Sequence, residues 1–510
     1  MTDVRHLPSR RASALAGLVA GGLGLGVAEL LSGLLPGAPS PVTAVGSLVI
    51  SLQPPGAKQL VVDLFGDADK LVLNLVVLAV ALGLAAGLGV LAARSPGLAN
   101  AGFAVVAGVA LLGAVRDPLT DLVLSVLVVG VGLGVTLLAL PRLLRAAAPS
   151  EPAMPDFERR RFLGRALALS AVAAGSGALG RLLLERRSAT TAEVPQVPAP
   201  TATAPPLPDG AELDVPGITP LVTPNDEFYR IDTALLTPRV DVGEWRLRVD
   251  GMVDRPFEIG YAELLAMPLV EQYVTIACVS NEVGGHLVGN ALWRGVRLRE
   301  LLNRAGVQPG ATQVVGRSVD GWTAGFPTAW LDAEGREALV AVAMNGEPLP
   351  PQHGYPARLI VPGLYGYVSA TKWLSNIHLT TWEGFDGYWV PLGWAKEGPI
   401  LTQSRIDVPR DRARIPAGRT AVAGVAWAPD RGISAVEVQV DHGGWQPATL
   451  STPISDATWV QWAFSWEATP GSHTLRVRAT DGTGEVQTDR VTRPAPDGAR
   501  GHHTIRVEVG

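Results

Sequence analysis

The sequence predicts three structural regions in series: an α-helical membrane region, an α+β domain, and an immunoglobulin-like β-sandwich. Three observations predict this order. Residues 1–187 are apolar and rich in Ala, Gly, Leu and Val. The middle of the chain mixes short strand-like runs with helical ones and has no βαβ rhythm. The C-terminal part alternates apolar and polar residues between turn residues, as a sandwich does. The expected boundaries are 1–187, a linker at 188–216, then 217–405 and 406–510.

Composition agrees with a chain that is part membrane protein and part soluble protein. Of its 510 residues, 17% are charged and 47% are hydrophobic, and the mean hydropathy is +0.24. The formal net charge is −5, and no long basic run follows the apolar region. Nucleic-acid binding is therefore not expected.

Five stretches in the first region are long enough to cross roughly 30 Å of hydrocarbon, which takes about 20 helical residues. They lie near 12–35, 71–93, 98–115, 118–140 and 162–184. The segment 42–52 is too short, ends at Pro54-Pro55-Gly56, and reads as interfacial or re-entrant. Arg5, Arg10 and Arg11 precede the first span, and Arg142, Arg145, Arg159, Arg160 and Arg161 lie between the fourth and fifth. Both clusters belong in the cytoplasm, so five spans carry the C-terminal half to the other side. Arg94 then falls inside and Arg116-Asp117 outside.

The run Arg159-Arg160-Arg161-Phe162-Leu163 also fits a twin-arginine export signal, with a plain positive-inside flank as the alternative. Such export moves a folded domain, which suits one that takes up a cofactor in the cytoplasm. The histidines are His6, His286, His353, His378, His442, His473, His502 and His503, and none falls in a predicted span. A bis-histidine haem between the helices is not expected. Glu29, near a helix end, is the notable acid, and the helices read as an anchor or docking surface with lipid as partner.

Ser188 to Pro216 contains VPQVPAPTATAPPLP and reads as an unpacked, semi-extended tether. Beyond it, Trp245–Val249 and Gln313–Val315 read as strands, and Tyr261–Met267 and Leu298–Ala305 as helices. No dinucleotide-binding glycine fingerprint or Walker loop is present.

The centre of the middle region is EQYVTIACVSNEVGG, Glu271 to Gly285. Tyr273 to Ile276 is β-branched and aromatic, a buried strand. Cys278, the only cysteine, follows where strand gives way to loop. An internal disulfide and a four-cysteine metal site are excluded. Spacing leaves two readings: a small buried hydrophobe, or a single thiolate ligand or nucleophile.

In the last region, AVAGVAWAP, SAVEVQVDHGGWQPA, WVQWAFSWEA and SHTLRVRATDGTG read as strands. With no cysteine there, Trp427, Trp445, Trp459, Trp462 and Trp466 are expected to fill the core.

From about Thr223 to the C-terminus the chain resembles the sulfite-oxidase family of molybdopterin enzymes. The resemblance is carried, in order, by TPNDEFYRID, TIACVSNEVGG with ALWRGVRLRELL, and AMNGEPLPPQHGYPARLIVPGLYGYVSATKWLSNIHL. The segment AVAGVAWAPDRGISAVEVQVDHGGWQPA resembles the family's molybdenum-cofactor dimerisation domain, which implies a homodimer contact there.

The resemblance implies that Cys278 ligates molybdenum beside the pterin dithiolene, where a soft thiolate suits the metal. It implies cofactor contacts from His353, Arg358 and Lys372, with Ser369 nearby and Ser318 as a further contact. Asn225, Asp226, Phe228 and Tyr229 match the first pterin-contacting segment. It also implies two-electron oxo transfer with a small oxo donor or acceptor, and a separate electron carrier. The chain itself has no CxxCH haem motif and no cysteines for an iron–sulfur cluster.

The sequence departs from the family in its anion-binding arginines. Animal and plant sulfite oxidases carry them in the first segment and just after the cysteine. Here Pro224 precedes Asn225, and Val279, Ser280, Asn281, Glu282 and Val283 follow Cys278. Trp394 meets the family's active-site tyrosine position, with Tyr388 close by in sequence. A doubly charged anion binds poorly without arginine. The expected substrate is therefore a neutral S-oxide, as in the periplasmic methionine-sulfoxide reductase branch, which usually lacks the C-terminal β domain. Sulfite oxidation is one alternative, and a non-catalytic membrane scaffold with a relic cofactor fold is another.

Overall fold

The computed structural model describes residues 7–54, 64, 69–148, 155–189, 195–332 and 336–510. Arg5, His6, the Pro55-Gly56 turn and residues 190–194 of the expected tether lie outside the described residues. The chain divides into two units: Met1–Thr191 with Ala234–Arg239, and Ala192–Thr233 with Val240–Gly510.

The first unit is helical. Five of its helices are long and apolar enough to cross a membrane: Arg10–Leu34, Lys70–Ala92, Pro96–Val115, Leu122–Ala147 and Arg159–Arg186. They overlap the five expected stretches, although the fourth, expected at 118–140, runs from Leu122 to Ala147; an unbroken apolar run is the strongest signal a sequence carries. The short apolar helix Pro41–Leu52 stands where the interfacial segment was expected. Arg10–Leu34 packs at the middle of the unit. Small residues bring its backbone close to its neighbours: a Cβ at Gly24 would strike the Gly132 carbonyl, and one at Gly33 would meet Gly180. Phe162 of the arginine motif is buried in this helical core with Ala16, Val19 and Leu143.

The second unit begins with a strap rather than a free tether. Thr201 donates its N–H to Leu269 O at 2.7 Å and Glu271 donates to Ala202 O at 2.9 Å, so 201–202 pairs with a strand edge. Leu213 N–H reaches the Gln461 side chain at 2.7 Å. The expectation of an unpacked linker over 188–216 is corrected for these residues. A proline-rich segment is already extended, and its remaining N–H and C=O groups can complete an open sheet edge.

Two sheets form the α+β part. One has the spatial order Phe257–Gly260, Arg246–Gly251, Leu374–Thr380, Gln313–Ser318, Thr323–Pro327, with the second and third strands parallel. The other runs Leu269–Ala277, Val288–Arg297, Leu339–Met344, Glu347–Pro348, and Arg358–Ile360 pairs with Leu339–Met344. The helices Tyr261–Leu265 and Leu298–Ala305 lie where the sequence placed them. Leu298–Ala305 is capped by Gly306 in the left-handed region (φ 70°), a frequent helix terminator.

The C-terminal part has a four-stranded sheet (Gln403–Val408, Gly418–Trp427, Val460–Ala468, Thr449–Leu450) and a five-stranded one led by Arg414–Ile415. Ile406, Val422 and Trp462 of the first share a core with Val438, Leu475 and Val507 of the second. Its first strand starts at Gln403, so the expected boundary at 405/406 cuts a strand that pairs with Gly418–Trp427.

The tryptophans divide between two cores. Trp462 and Trp466 fill the space between the C-terminal sheets. Trp427 and Trp459 instead belong to the core of the α+β part. Trp445 is only half-buried, under the Arg478 guanidinium at 4.3 Å. The expectation that all five fill the sandwich core is corrected: alternation along a strand cannot tell an inner face from one packed against a neighbouring domain.

Candidate active site around Cys278

The strand Leu269–Ala277 pairs with Val288–Arg297 from Leu269↔Val296 to Ala277↔Val288. Cys278 is the first residue past the last pair, so the hairpin loop 278–287 begins with it. The loop is closed by Cys278 N–H to Leu287 O at 2.9 Å and Leu287 N–H to Asn281 Oδ1 at 2.8 Å. Gly284 takes φ 78°, and a Cβ there would strike the His503 ring. Cys278 itself is 7% exposed.

Two phenols stand in the electrostatic reach of Cys278. Tyr229 is pushed far above the ordinary tyrosine range by burial and by Cys278, against the pull of Arg358. Tyr365 is pushed up to about 12 by burial, with Cys278 adding to the shift. Both phenols stay protonated near neutrality.

Within electrostatic reach of Tyr229 is a buried cluster of His353, Arg358 and Lys372. Arg358 is 3% exposed; it donates to His353 O at 3.0 Å and lies over the Trp293 ring at 5.1 Å. Burial lowers it to about 10. His353 is lowered to about 4, chiefly by burial and also by Lys372 and Arg358. It is therefore neutral at pH 7, and its Nε2 can donate to the Asn225 carbonyl at 2.8 Å. Lys372 is lowered to about 8 by burial, opposed by Asp232. Its Nζ donates to Asp232 at 3.0 Å and to Gln352 O at 3.0 Å.

This pocket leaves polar atoms without a hydrogen bond. The buried atoms without one include Arg358 Nε, His353 Nδ1 and Thr371 Oγ1. Each such atom is costly unless a ligand satisfies it. Arg358 Nε–H is a donor suited to an anionic oxygen. His353 Nδ1, with Nε2 donating, is an acceptor suited to a ring N–H. Gly354 (φ 113°) keeps the floor open, since a Cβ there would press on Lys372. Trp373, next to Lys372, is held at φ 49°, which is unusual for a bulky residue and marks strain beside the pocket.

The structure gathers Cys278, Tyr229, His353, Arg358, Lys372 and the Asn225 carbonyl. Phe228 is packing between them, edge-on to Trp293 at 5.8 Å and to His353 at 5.6 Å. The Asn225 side chain is spent on Asn345, Glu347 and the Met344 carbonyl. Asp226 points to solvent. Ser318 is buried at a strand end, opposite Leu374 and beside the Lys372-Trp373 turn. Ser369 donates to Tyr365 O at 3.0 Å, which holds its own turn together.

Tyr388 packs on Trp389 at 4.9 Å, and its phenol is shifted upward by burial and by Asp320. Trp394 lies against Tyr367 at 5.9 Å. These two residues form an aromatic group with Trp389 and Tyr367, and Tyr367 in turn feels Tyr365 electrostatically.

Sequence reasoning missed three groups here. Tyr365 sits between Cys278 and the C-terminal part, where a Cβ on Gly498 would approach its hydroxyl at 2.7 Å. Arg500 feels that same phenol, yet is held by Asp497 through two bonds of 3.0 and 2.7 Å. Asp232 supplies the counter-charge for Lys372. The acidic partners carry no spacing signal, because they reach the site through folding alone.

The family described as "Oxidoreductase molybdopterin binding domain" matches residues 234–389. The uncharacterized oxidoreductase YuiH of Bacillus subtilis (strain 168) is 37% identical over 158 residues, covering 31% of this chain and 76% of that protein. The chain belongs to the sulfite-oxidase family of molybdopterin-dependent oxidoreductases. Within this family, human mitochondrial sulfite oxidase is 28% identical over 319 residues, spanning 53% of this chain and 58% of that protein. The sulfane dehydrogenase SoxCD from Paracoccus pantotrophus shares the fold with a TM-score of 0.51 and 23% identity. That match covers 57% of this chain and 82% of SoxCD. The chain is accordingly a molybdenum-cofactor oxidoreductase of the sulfite-oxidase type.

Proposed function

We propose that this oxidoreductase is membrane-anchored, works on the extracytoplasmic side, and exchanges oxygen with a small neutral S-oxide. The observation that carries the reading is the buried thiol of Cys278 beside an unsatisfied cationic pocket. The residues present fit a pterin bearing a phosphate. Arg358 and Lys372 would hold the phosphate, His353 Nδ1 and Tyr229 would meet the heterocycle, and Cys278 would be the protein's ligand to molybdenum. Bound there, the cofactor supplies two-electron oxo-transfer chemistry that no side chain offers. Thr371 and Ser318 border the same pocket, whereas Ser369 supports its wall. Tyr365 would orient a substrate oxygen by donating its phenolic hydrogen, and Trp394 with Tyr388 would form the aromatic rim that excludes water.

The substrate class follows from charge. Loop 278–287 has no arginine. Arg500, the cation that reaches Tyr365, is neutralised by Asp497. That arrangement favours a neutral oxo donor such as an S-oxide over anionic sulfite. Sulfite remains the second reading, favoured by the 28% identity to human sulfite oxidase over 53% of this chain.

The five apolar helices support the anchor, and their arginine distribution supports an extracytoplasmic active site reached by twin-arginine export. The two packed C-terminal sheets suit an immunoglobulin-like dimerisation domain. Electrons would pass to or from a separate carrier.

Metal and pterin analysis of the purified protein is the first test. A protein expressed in a molybdenum-replete host and lacking both would overturn the assignment. Cys278→Ser should fold yet lose turnover in a dye-linked assay with sulfite, sulfoxides and N-oxides. Full turnover in that variant would refute the thiolate role, and inactivity of the wild-type protein across the whole panel would favour the scaffold reading.

A further inference from the structure

We propose that the basic end of the helical unit holds one anionic phospholipid in a groove between the helices Leu122–Ala147 and Pro155–Ala189. The inference rests on reading these helices as membrane spans. The groove has a volume of ≈ 920 Å³. Arg142 and Arg145 line it from one helix and Arg165 from the other, while Leu23, Val135 and Leu169 give it an apolar wall.

The two halves of this lining call for two halves of one ligand. Arg142 and Arg145 are three residues apart and share a helix face. All three guanidinium-bearing residues are exposed. Arg142 spends an N–H on the Leu138 carbonyl at 2.6 Å, and its other donors remain available. Among the described residues, no carboxylate pairs with Arg142, Arg145 or Arg165. Three guanidinium groups without counter-charge repel one another unless an anion sits between them. A phosphodiester is well matched, because guanidinium binds phosphate oxygens in bidentate fashion.

The apolar wall selects the source of that phosphate. Free phosphate has no use for leucine and valine, whereas an acyl chain does. Basic pockets between membrane helices at one face of the bilayer take anionic head groups for this reason. Arg159, Arg160 and Arg161 are exposed one to two turns before Arg165 on the same helix and deepen the positive field. The run that reads as an export motif would thus also serve the finished protein as part of a lipid-binding end.

The test uses the full-length protein. Membranes are first washed with alkaline carbonate, and the protein is then extracted in mild detergent for native mass spectrometry and bound-phospholipid analysis. Wild-type protein should stay in the washed membrane and retain phosphatidylglycerol in preference to phosphatidylcholine. The triple variant Arg142→Gln/Arg145→Gln/Arg165→Gln should stay in the membrane but retain about tenfold less phosphatidylglycerol. Arg94→Gln, outside the groove, should behave as wild type. Equal retention by the triple variant, or no preference in the wild type, would overturn the groove while leaving the membrane reading intact. Release of the wild-type protein by carbonate would overturn both.

Discussion

Lys372 donates to Asp232 at 3.0 Å with side chains only 10% and 7% exposed, forming a buried ion pair beside His353 and Arg358. Arg358 lies close enough to oppose the charge on Lys372. The pocket therefore carries more positive than negative charge in a place water barely reaches. Such an excess is tolerated where an anion completes it.

Breaking this pair should be costly. Asp232→Asn leaves Lys372 buried beside Arg358 without its acid, and Lys372→Met leaves Asp232 buried without its base. Each should lose about 3–5 kcal/mol of stability. Denaturant unfolding of the second unit's tryptophan fluorescence measures this, and for Asp232→Asn the loss should be smaller when cofactor is bound.

The same pair sets a pH window. Lys372 falls from its ordinary 10.5 to about 8 in the folded protein. Between those values the unfolded chain holds a proton that the folded chain has released. The contribution of this group to stability therefore rises with pH from about 8 toward 10.5. Its attraction for a phosphate falls over the same range. Cofactor-free protein should bind the pterin phosphate more weakly above pH of about 8, measured by titration calorimetry across that window.

Asp497 should tune substrate charge. Asp497→Asn removes the carboxylate that grips Arg500 through two bonds. The freed guanidinium should lower KM for sulfite by about three- to tenfold, with little change for a neutral sulfoxide. Steady-state kinetics on both substrates read the split, and an equal effect on the two would assign Asp497 to loop structure alone.

Trp459 should behave as a bolt between the two parts of the second unit. Its indole N–H donates to Leu221 O at 2.8 Å, its backbone N–H bonds Thr275 Oγ1 at 2.8 Å, and it is 1% exposed. Trp459→Phe should cost about 0.5–1.5 kcal/mol, since the Leu221 carbonyl loses the indole bond but keeps the Asn290 side-chain donor at 2.9 Å. Trp459→Ala should cost about 3–5 kcal/mol. Thermal unfolding should then show the C-terminal sheets melting separately.

Some of this molecule is written locally. Leu75 to Val90 forms one apolar run, and such a run needs no partner to declare a long helix. The strand ending at Ala277 was visible because Tyr273 to Ile276 carries a β-branched, aromatic pattern, and the loop after it because Gly284-Gly285 breaks that pattern. The same locality places Cys278 at a strand end, and the block from His353 to Lys372 carries the family's spacing. The proline-rich strap misled because composition reports stiffness and polarity, not whether a sheet edge lies within reach.

Everything decided by distance along the chain lay outside that reading. Asp232 meets Lys372 across 140 positions, and Arg500 reaches Tyr365 from a different set of sheets. Charge neutralisation is a sum over neighbours in space, so a sequence shows the cations and not their pairing. The helices, the hairpin and the thiol were fixed by short-range pattern. The electrostatic character of the site was decided only when folding brought remote acids against those bases.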